Sequence, residues 1–499
     1  MLSSLSPVTA RARVAFAAAL LCVTAGLVAC TEPGEDADST LVIETEQGTV
    51  KGINEDGIRA WRGIPYAEAP VGDLRWQPPQ EHDDWDGVRS AAQYGSTCLQ
   101  TTFPAPGQTG ALPQAGSAED CLFLNVNAPK KADGLPVMVW LHGGGFVGGT
   151  GGPSLANSPE MVKRGVVLVT LNYRLGRFGF FAHPSLEGDI ANYGLLDQVA
   201  ALEWVQDNIE GFGGDPDNVT LFGQSAGGMS VNALMTSPAA EGLFDKAISQ
   251  SGLGRELSVS LEEARADGEQ FLPGLDADAL RDVDATRLLG PPQDLFAGDV
   301  PIVDEVLPMR VADAFALGTE ADVPYLTGTT NAEFPDSVFE ALGRPPDAAR
   351  TLLVGTDRAS FLSLYGGELG LQQHVLSDVI FTEPARYLAA LHSDRAPAYR
   401  YRFSIASAAE QATLGGAPHT AEAPFVFDHG VDDELADPIC EYWVSFAKTG
   451  DPNHEGAEEW PTAEDGGLLE FTAQGPVVET ADPWQARLDA VQAATERLS

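Results

Sequence analysis

Short apolar runs alternate with helix-like stretches along most of the 499-residue chain, and this alternation restricts the fold more than any other feature. Such a pattern is typical of an α/β domain whose large central sheet is mostly parallel and flanked by helices. The sequence contains no internal repeat, and no low-complexity linker divides it after residue 40. We therefore predict an α/β fold in which residues 41–499 form a single domain.

Polar or glycine-rich segments follow four of the strand-like runs. The runs cover residues 136–141, 219–222, 323–326 and 398–403. In that order they lead into a triple-glycine segment, a Gly-x-Ser-x-Gly pentapeptide, a segment that contains Glu333 and a loop that contains His419. Ligands of open α/β sheets lie outside the carboxyl ends of the strands. We therefore expect the four segments to converge on one site.

The pentapeptide Gly223-Gln224-Ser225-Ala226-Gly227 offers Ser225 as a nucleophile. The turn from strand to helix in this pattern is so tight that flanking side chains would clash, so Gly223 and Gly227 leave the Ser225 hydroxyl exposed. The pattern is short enough to occur by chance and needs a strand before it and a helix after it. Both are predicted here, because residues 226–235 have helix-compatible spacing.

The segment His142-Gly143-Gly144-Gly145-Phe146 is a candidate oxyanion hole. Successive glycines at a strand end let backbone N–H groups point into a cleft, where they and the N–H of Ala226 can stabilise a tetrahedral intermediate. A glycine-rich turn and a phosphate-binding loop are the alternatives. A phosphate loop would have Lys and Ser or Thr after its glycines, whereas Phe146 and Val147 follow here.

A serine nucleophile needs a histidine base and a carboxylate that orients the base, and enzymes of this topology carry them in the order Ser, acid, His. Of the eight histidines, His419 is the candidate base, because it follows Ser225 and lies in a loop after a strand-like run, with glycines before it. Glu333 is the candidate acid, because it follows a strand-like run between the two. Asp304 and Asp322 stay open as rivals for the acid.

The N-terminus resembles a bacterial lipoprotein signal peptide over residues 1–29. Arg11 and Arg13 precede an apolar run, residues 14–28, that is too short to span a bilayer comfortably. Leu27-Val28-Ala29-Cys30, where the run closes, resembles a bacterial lipobox, in which the Cys30 thiol would take a diacylglycerol before cleavage at its amino side. Residues 30–40 suit a flexible tether. We expect an exported protein of the cell envelope, periplasmic or on the outer surface, that contacts the membrane only through this lipid, or otherwise a secreted one.

The cysteines fit export, and the net charge disfavours one class of partner. The formal net charge of -43, from 29 Lys plus Arg and 72 Asp plus Glu, disfavours nucleic acid as a partner because the two would repel each other. Cys98 and Cys121 are candidates for a disulfide in an oxidising compartment, with two unpaired thiols as the alternative. Cys440 lies in an apolar pattern, and we expect it to be buried.

Several motifs in a fixed order resemble the type-B carboxylesterase and cholinesterase family, and within it the bacterial carboxylesterases. The motifs are Gly63-Ile64-Pro65-Tyr66-Ala67, Leu74-Arg75-Trp76, and residues 119–126, 222–228, 242–244, 248–252 and 446–453. The resemblance implies the α/β-hydrolase fold. The roles that it implies are nucleophile for Ser225, acid for Glu333, base for His419, oxyanion hole for Gly144, Gly145 and Ala226, triad support for Ser251, and a disulfide between Cys98 and Cys121. A core serine bonded to backbone is the alternative for Ser251.

The sequence departs from the family pattern next to the predicted triad. Gln224 replaces the usual Glu before the nucleophile, which removes a negative charge and should weaken attraction for cationic substrates. Phe334 replaces the usual Gly after the acid, and Thr420 the usual Gly after the base. The segment between Cys98 and Cys121 also lacks the Trp on which cholinesterases pack a quaternary ammonium group. Choline esters are therefore disfavoured as substrates.

Together these features predict an exported serine carboxylesterase. It would cleave small-molecule esters through an acyl-enzyme on Ser225 and would need neither a metal nor another cofactor. A hydrolase of amides, carbamates or lactones with the same site is one alternative. An esterase-like binding protein without catalytic activity is the other. The sequence leaves the acyl and alcohol preference and the oligomeric state open.

Overall fold

The computed structural model describes residues 39–101, 113–255, 259–289, 300–341, 343–464 and 466–498. Leu41–Ser499 forms one compact unit. The predicted signal peptide, Cys30 and all of the predicted tether except Ser39 and Thr40 lie outside the described residues. The proposed boundaries at residues 29 and 40 therefore stay predictions.

Strands are distributed along the whole described chain. They are β1 Val42–Thr45, β2 Gly48–Lys51, β3 Ile53–Glu55, β4 Ile58–Pro65, β5 Val88–Ser90, β6 Thr97–Cys98, β7 Ser117–Ala118, β8 Phe123–Pro129, β9 Leu135–Leu141, β10 Val167–Leu171, β11 Gly214–Gln224, β12 Lys246–Gln250, β13 Val259–Ser260, β14 Ile302–Val303, β15 Tyr325–Thr330, β16 Ala398–Phe403, β17 Leu468–Thr472 and β18 Gly475–Glu479. All four strand-like runs predicted from the sequence overlap strands, namely β9, β11, β15 and β16, although β15 begins two residues later than its run.

Helices connect most of the later strands. They are α1 Pro159–Lys163, α2 Gly176–Gly179, α3 Tyr193–Phe212, α4 Ala226–Met235, α5 Leu261–Phe271, α6 Ala277–Arg281, α7 Ala285–Leu288, α8 Val311–Leu317, α9 Asp336–Ala341, α10 Asp347–Val354, α11 Arg358–Leu364, α12 Glu368–Ser377, α13 Glu383–His392, α14 Ala408–Thr413, α15 Ala423–Val426, α16 Asp433–Thr449 and α17 Gln485–Leu498. A π-helical turn, Asp378–Thr382, joins α12 to α13. Within the described part of the chain, none of these helices is both long and apolar enough to cross a membrane.

One sheet of eleven strands organises the molecule. Its order is β18-β17-β16-β15-β12-β11-β9-β10-β8-β4-β3. The strands from β10 to β17 in this order pair in parallel, and the antiparallel pairs lie at the two ends of the sheet. The predicted large, mostly parallel sheet flanked by helices is therefore confirmed.

Neighbouring residues of the central strands face opposite sides of the sheet, as the two-residue period of a strand requires. In β9, Val137 and Val139 belong to the hydrophobic cluster that includes residues of α3 and α4. Met138 and Trp140 belong to the cluster that includes residues of α1 and α16. Because both faces are covered, the central strands are nearly continuous apolar runs rather than alternating ones. This burial fixes the register of the strands whose ends form the candidate site.

Candidate active site

Ser225 lies between the end of β11 and the start of α4, at the centre of the sheet. Its φ of 57° and ψ of -123° place it in a backbone conformation that L-residues rarely adopt. Its N–H donates to Gln250 O at 2.8 Å, which fixes the turn. A Cβ added to Gly223 would lie 2.5 Å from Gly227 C, and one added to Gly227 would lie 2.0 Å from Leu141 O. Both glycines are therefore required, as the sequence predicts.

The triple-glycine segment follows β9, the neighbour of β11, and turns back on itself. Gly144 and Gly145 have φ values of 117° and 62°, and Gly148 N donates to Gly144 O at 3.1 Å. The Cβ position of Gly143 is 3.1 Å from Ser225 Cβ, so the segment lies directly beside the candidate nucleophile. We call residues 143–149 the glycine loop. Gly144 and Gly145 adopt these dihedral angles without the strain that a side chain would add.

His142 lies immediately before the glycine loop, and it is neutral. Burial lowers the pKa of His142 to about 4. Its Nδ1 lies 2.9 Å from Gly143 O, and its ring stacks on Tyr173 with the ring centroids 4.4 Å apart. Since Gly143 O can only accept a hydrogen bond, Nδ1 carries the proton. His142 therefore supports the loop rather than acting as a base for Ser225.

Glu333 is the carboxylate that contacts the candidate base. It follows β15 and is 1% exposed. Its Oε2 accepts a hydrogen bond from His419 Nδ1, and its Oε1 accepts bonds from Ser251 Oγ at 2.6 Å and Thr330 N at 2.7 Å. The rival Asp304 instead accepts bonds from backbone N–H groups of Ala191, Asn192, Val306 and Leu307. The structure therefore brings Glu333, not Asp304, to His419.

Ser251 holds Glu333 from the end of β12. It is completely buried and has a φ of 51°. Its N–H donates to Gly328 O at 2.8 Å, and its hydroxyl donates to Glu333 rather than to a backbone carbonyl. The side-chain bond favours triad support over the alternative of a core serine bonded only to backbone.

His419 Nε2 is the atom that would accept the Ser225 proton, and it has another partner in this structure. Gln224 Nε2 lies 3.3 Å from it. Since His419 Nδ1 donates to Glu333, Nε2 is the unprotonated nitrogen and accepts from the amide. The Gln224 amide is 4% exposed, and its Oε1 lies 3.0 Å from the Cβ position of Gly143. Gln224 therefore spans the space between the base and the glycine loop.

Two phenylalanines flank the imidazole of His419. The ring centroid of Phe334 is 4.8 Å from that of His419, at an interplanar angle of 69°. The centroid of Phe381 is 5.2 Å away, and this residue lies in the π-helical turn between α12 and α13. Such turns are frequent at functional sites. The departure at Phe334 thus places an aromatic edge against the base where relatives usually have no side chain.

Thr420, the other departure beside the base, has a φ of 74°. This left-handed region favours glycine and costs a β-branched residue about 1–2 kcal/mol. The glycine usual among relatives would adopt this backbone without strain. Thr420 is therefore tolerated by the His419 loop but strained within it.

Glu422 is a buried carboxyl group that the sequence reasoning missed. It follows His419 by three residues, is completely buried, and its Oε2 has no hydrogen-bond partner among the described residues. Its Oε1 is 3.5 Å from Gln250 Nε2. Burial, together with the nearby charge of Glu333, raises the pKa of Glu422 to about 7. Its only sequence signal was an acidic residue within an otherwise apolar segment.

The predicted disulfide between Cys98 and Cys121 is present, and Cys440 is a buried free thiol, as expected. A second missed residue, Gln100, lies two positions after Cys98. Its side-chain amide hydrogen-bonds to both Cys98 and Gly149.

The predicted triad, Ser251 and the glycine loop thus lie in segments that follow β9, β11, β12, β15 and β16. These five strands are neighbours in the sheet, in the order β16-β15-β12-β11-β9.

Comparison with known proteins agrees with this geometry. The carboxylesterase family profile matches residues 39–352 and 370–485. Para-nitrobenzyl esterase of Bacillus subtilis is 39% identical over 457 residues, covering 84% of this chain and 92% of that protein. Fumonisin B1 esterase of Sphingopyxis macrogoltabida is 35% identical over 501 residues, covering 90% and 89%.

A solved structure of a PNB esterase has a TM-score of 0.77 and 38% sequence identity, and the match covers 91% of this chain and all of that one. The predicted α/β-hydrolase fold and the resemblance to bacterial carboxylesterases are therefore confirmed. A family match along nearly all of the described chain also identifies the protein as a carboxylic ester hydrolase that uses serine. The chain belongs to the carboxylesterase family.

Proposed function

We propose that the protein is an exported esterase that hydrolyses small-molecule carboxylic esters through an acyl-enzyme on Ser225. The observation that carries this proposal is the position of Ser225 on a tight turn, beside the glycine loop and at the same edge of the sheet as Glu333, which contacts His419. Ser225, Glu333 and the glycine loop each follow the end of a strand, and His419, in the loop between α14 and α15, is held by its bond to Glu333. The site thus combines a nucleophile, a base, an acid and backbone donors.

In the first step Ser225 Oγ attacks the ester carbonyl carbon while His419 Nε2 takes its proton. Glu333 keeps the Nδ1 proton in place and stabilises the imidazolium that forms. The negative oxygen of the tetrahedral intermediate is held by the N–H groups of Gly144, Gly145 and Ala226. Each such donor contributes about 3–4 kcal/mol to the transition state.

The intermediate then collapses. The bond between carbon and the alcohol oxygen breaks, the alcohol leaves with the proton from His419, and the acyl group stays on Ser225. Water enters, gives a proton to His419 and attacks the acyl carbon. The second tetrahedral intermediate releases the acid, and the proton returns from His419 to Ser225 Oγ. Every proton is thus carried by one imidazole.

Covalent labelling tests the nucleophile. We expect a fluorophosphonate probe to label the wild-type protein once, at Ser225, and Ser225→Ala to abolish both labelling and ester hydrolysis. Ser230→Ala is the matched control, because Ser230 is also a buried serine and lies on α4, the helix that Ser225 precedes, with its Oγ accepting a bond from Gln198. Stoichiometric labelling of a correctly folded Ser225→Ala protein would overturn the proposal.

The leaving group distinguishes the esterase from its alternatives. We expect nitrophenyl esters of increasing acyl length to be hydrolysed with a clear optimum, and the matched nitroanilides and carbamates far more slowly. Comparable rates on the anilides would favour an amidase. Binding of esters without turnover would favour a non-catalytic protein. Because Gln224 carries no charge, a choline ester should show no advantage over its uncharged analogue.

Export rests on the N-terminal sequence and has its own test. We propose that the signal peptide, residues 1–29, is removed and that the Cys30 thiol carries a diacylglycerol in the cell envelope. Intact-mass analysis of the mature protein should show this added lipid mass in the wild type and its loss in Cys30→Ser. Equal masses, apart from the sulfur-to-oxygen change, would indicate a secreted protein with a plain signal peptide.

A further inference from the structure

We infer that Gln100 is a positioning residue for the oxyanion hole: its side-chain amide clamps the end of the glycine loop and ties that loop to Cys98. This inference rests on the proposed function, because it concerns the backbone donors that would stabilise the oxyanion. Gln100 touches no reacting atom and acts through the loop.

The clamp is a reciprocal pair of hydrogen bonds between an amide side chain and a peptide residue. Gln100 Nε2 donates to Gly149 O at 2.7 Å, and Gln100 Oε1 accepts from Gly149 N at 2.9 Å. The second hydrogen on Nε2 is directed to Cys98 O at 3.1 Å. Gln100 is 5% exposed. Two opposed bonds fix the orientation of the Gly149 backbone as well as its distance, which a single bond could not do.

The backbone of the glycine loop is closely packed at Gly144 and Gly149. A Cβ at Gly149 would lie 2.1 Å from His142 Nδ1, and a Cβ at Gly144 would lie 2.1 Å from Gly148 O. Val147 and Gly148 both donate backbone bonds to Gly144 O, at 3.2 Å and 3.1 Å. Gly148 thus closes a turn that begins at Gly144, and Gly149 is the next residue, so a displacement of Gly149 would be transmitted through this turn to the proposed donors.

The other end of the clamp is the disulfide. Cys98 is bonded to Cys121, whose carbonyl oxygen accepts from Asn172 Nδ2 at 3.2 Å. Asn172 Oδ1 in turn accepts from Gly151 N at 2.9 Å. The chain that leaves the glycine loop is therefore held at Gly149 and Gly151 by amide side chains that also bond the two half-cystines. The disulfide gives these amides a fixed support.

Loss of the clamp should affect the transition state more than substrate binding. A donor that is removed from an oxyanion hole costs about 100- to 1,000-fold in kcat. In Gln100→Ala the donors remain but lose one anchor, so we expect a smaller decrease of about 10-fold or more in kcat. We expect KM to change by less than about 3-fold, because the oxyanion interaction forms mainly in the transition state.

Gln100→Glu separates the hydrogen bonds from side-chain volume. It keeps the shape of the side chain and an acceptor for Gly149 N, but it replaces the donor that bonds Gly149 O and Cys98 O. An oxygen would then face two carbonyl oxygens. We therefore expect Gln100→Glu to lose at least as much kcat as Gln100→Ala, although it removes no atoms from the packing.

The experiment measures kcat and KM on p-nitrophenyl butyrate, with active sites counted by fluorophosphonate titration, so that unfolded protein does not contribute. The inhibition constant of a phenyl trifluoromethyl ketone, which would form a tetrahedral adduct with Ser225, is measured in parallel. Asn208→Ala is the matched control. Asn208 is also 5% exposed, accepts one backbone bond from Glu46 N and donates one to Trp204 O, both at 2.9 Å.

We expect both Gln100 variants to weaken ketone binding by the same factor as they reduce kcat/KM, and Asn208→Ala to leave both values per titrated site unchanged. An unchanged kcat per site in Gln100→Ala, an equal loss in Asn208→Ala, or ketone binding that does not follow kcat/KM would each overturn the inference. Failure of the proposed function would look different, because Ser225→Ala would then still be labelled.

Discussion

The amide nitrogen of Gln224 lies 3.3 Å from Nε2 of His419, the atom that would receive the proton of Ser225. In this structure the base is therefore oriented at both ends, by Glu333 at Nδ1 and by Gln224 at Nε2. Hydrogen bonds of a catalytic site are often completed only when substrate is bound. The bond between Gln224 and His419 must break, or be shared with the Ser225 hydroxyl, before the base can take a proton.

The first prediction concerns the charge at residue 224. Gln224→Glu would place a carboxylate against the imidazole, which already faces Glu333 and has the buried Glu422 nearby. Another negative charge stabilises the protonated base, so a higher pH is needed to free it. We expect the acid limb of the kcat/KM profile to move up by about 1 pH unit or more.

The measurement is the pH dependence of kcat/KM for an uncharged ester between pH 5 and 9. Gln206→Glu is the control. Gln206 is a partly buried amide on α3, whereas Gln224 ends β11, and Gln206 Nε2 donates to Pro216 O and Leu243 O, both at 3.1 Å. An acid limb that stays in place in Gln224→Glu, or one that moves equally in Gln206→Glu, would contradict the prediction.

The second prediction separates the orienting role of Glu333 from its charge. Glu333→Gln keeps the volume of the side chain, but its amide can present N–H to His419 and favour the wrong tautomer. We expect kcat to fall about 1,000- to 10,000-fold with little change in KM. Ser251→Ala removes only one of the two bonds to Glu333 Oε1, so its effect should be well under 100-fold. Similar losses in the two variants would contradict this order.

The third prediction concerns backbone strain at Thr420. Thr420→Gly relieves the strain of the positive φ, which stabilises the folded state. Glycine also makes the unfolded chain more flexible, which lowers stability, but we expect this effect to be the smaller of the two. We expect a net gain of up to about 1 kcal/mol in the free energy of unfolding in urea. Thr413→Gly, at the end of α14, is the control and should destabilise, because it removes the bond from Thr413 Oγ1 to Ala409 O. A net loss in Thr420→Gly would show that its side chain has a compensating contact.

The parts of the site that were predictable lie on regular elements. Strand periodicity located the ends of β9, β11, β15 and β16, and a parallel sheet brings such ends to one edge. Ser225 and His419 followed directly from these positions. The family resemblance implied Glu333 as the acid, but spacing alone left Asp304 open, because both carboxylates precede His419 and only side-chain contacts separate them.

The contacts that the sequence did not predict share a different property, since the two partners are distant in sequence. Gln100 contacts Gly149 across 49 positions, and Gln224 contacts His419 across 195. Hydrophobic periodicity reports which face of an element is buried, but it carries no information about which amide meets which carbonyl. Glu422 was hidden for another reason. An acidic residue usually indicates solvent exposure, and its burial here is an exception that the tertiary fold imposes.

The last prediction follows from the titration of Glu422. Burial and the charge of Glu333 raise the pKa of Glu422 from 4.5 to about 7. At pH values between 4.5 and about 7, Glu422 keeps its proton in the folded protein but has lost it in the unfolded chain. The stability that Glu422 contributes is therefore fully present below pH 4.5 and decreases as the pH rises through 7, by about 1.4 kcal/mol per pH unit.

Glu422→Gln removes this pH-dependent contribution to the free energy of unfolding while keeping the shape of the side chain. Its free energy of unfolding, relative to wild type, should therefore rise by roughly 2–3 kcal/mol between pH 5 and pH 8, and urea denaturation at the two pH values measures this change. Glu340→Gln, an exposed substitution on α9, should show no such change relative to wild type. The difference between wild type and Glu422→Gln isolates this group, because the remaining carboxyl groups are common to both proteins. A difference that is constant over this range would mean that Glu422 stays ionised in the folded protein, and its second carboxylate oxygen would then need a partner that the described residues do not supply.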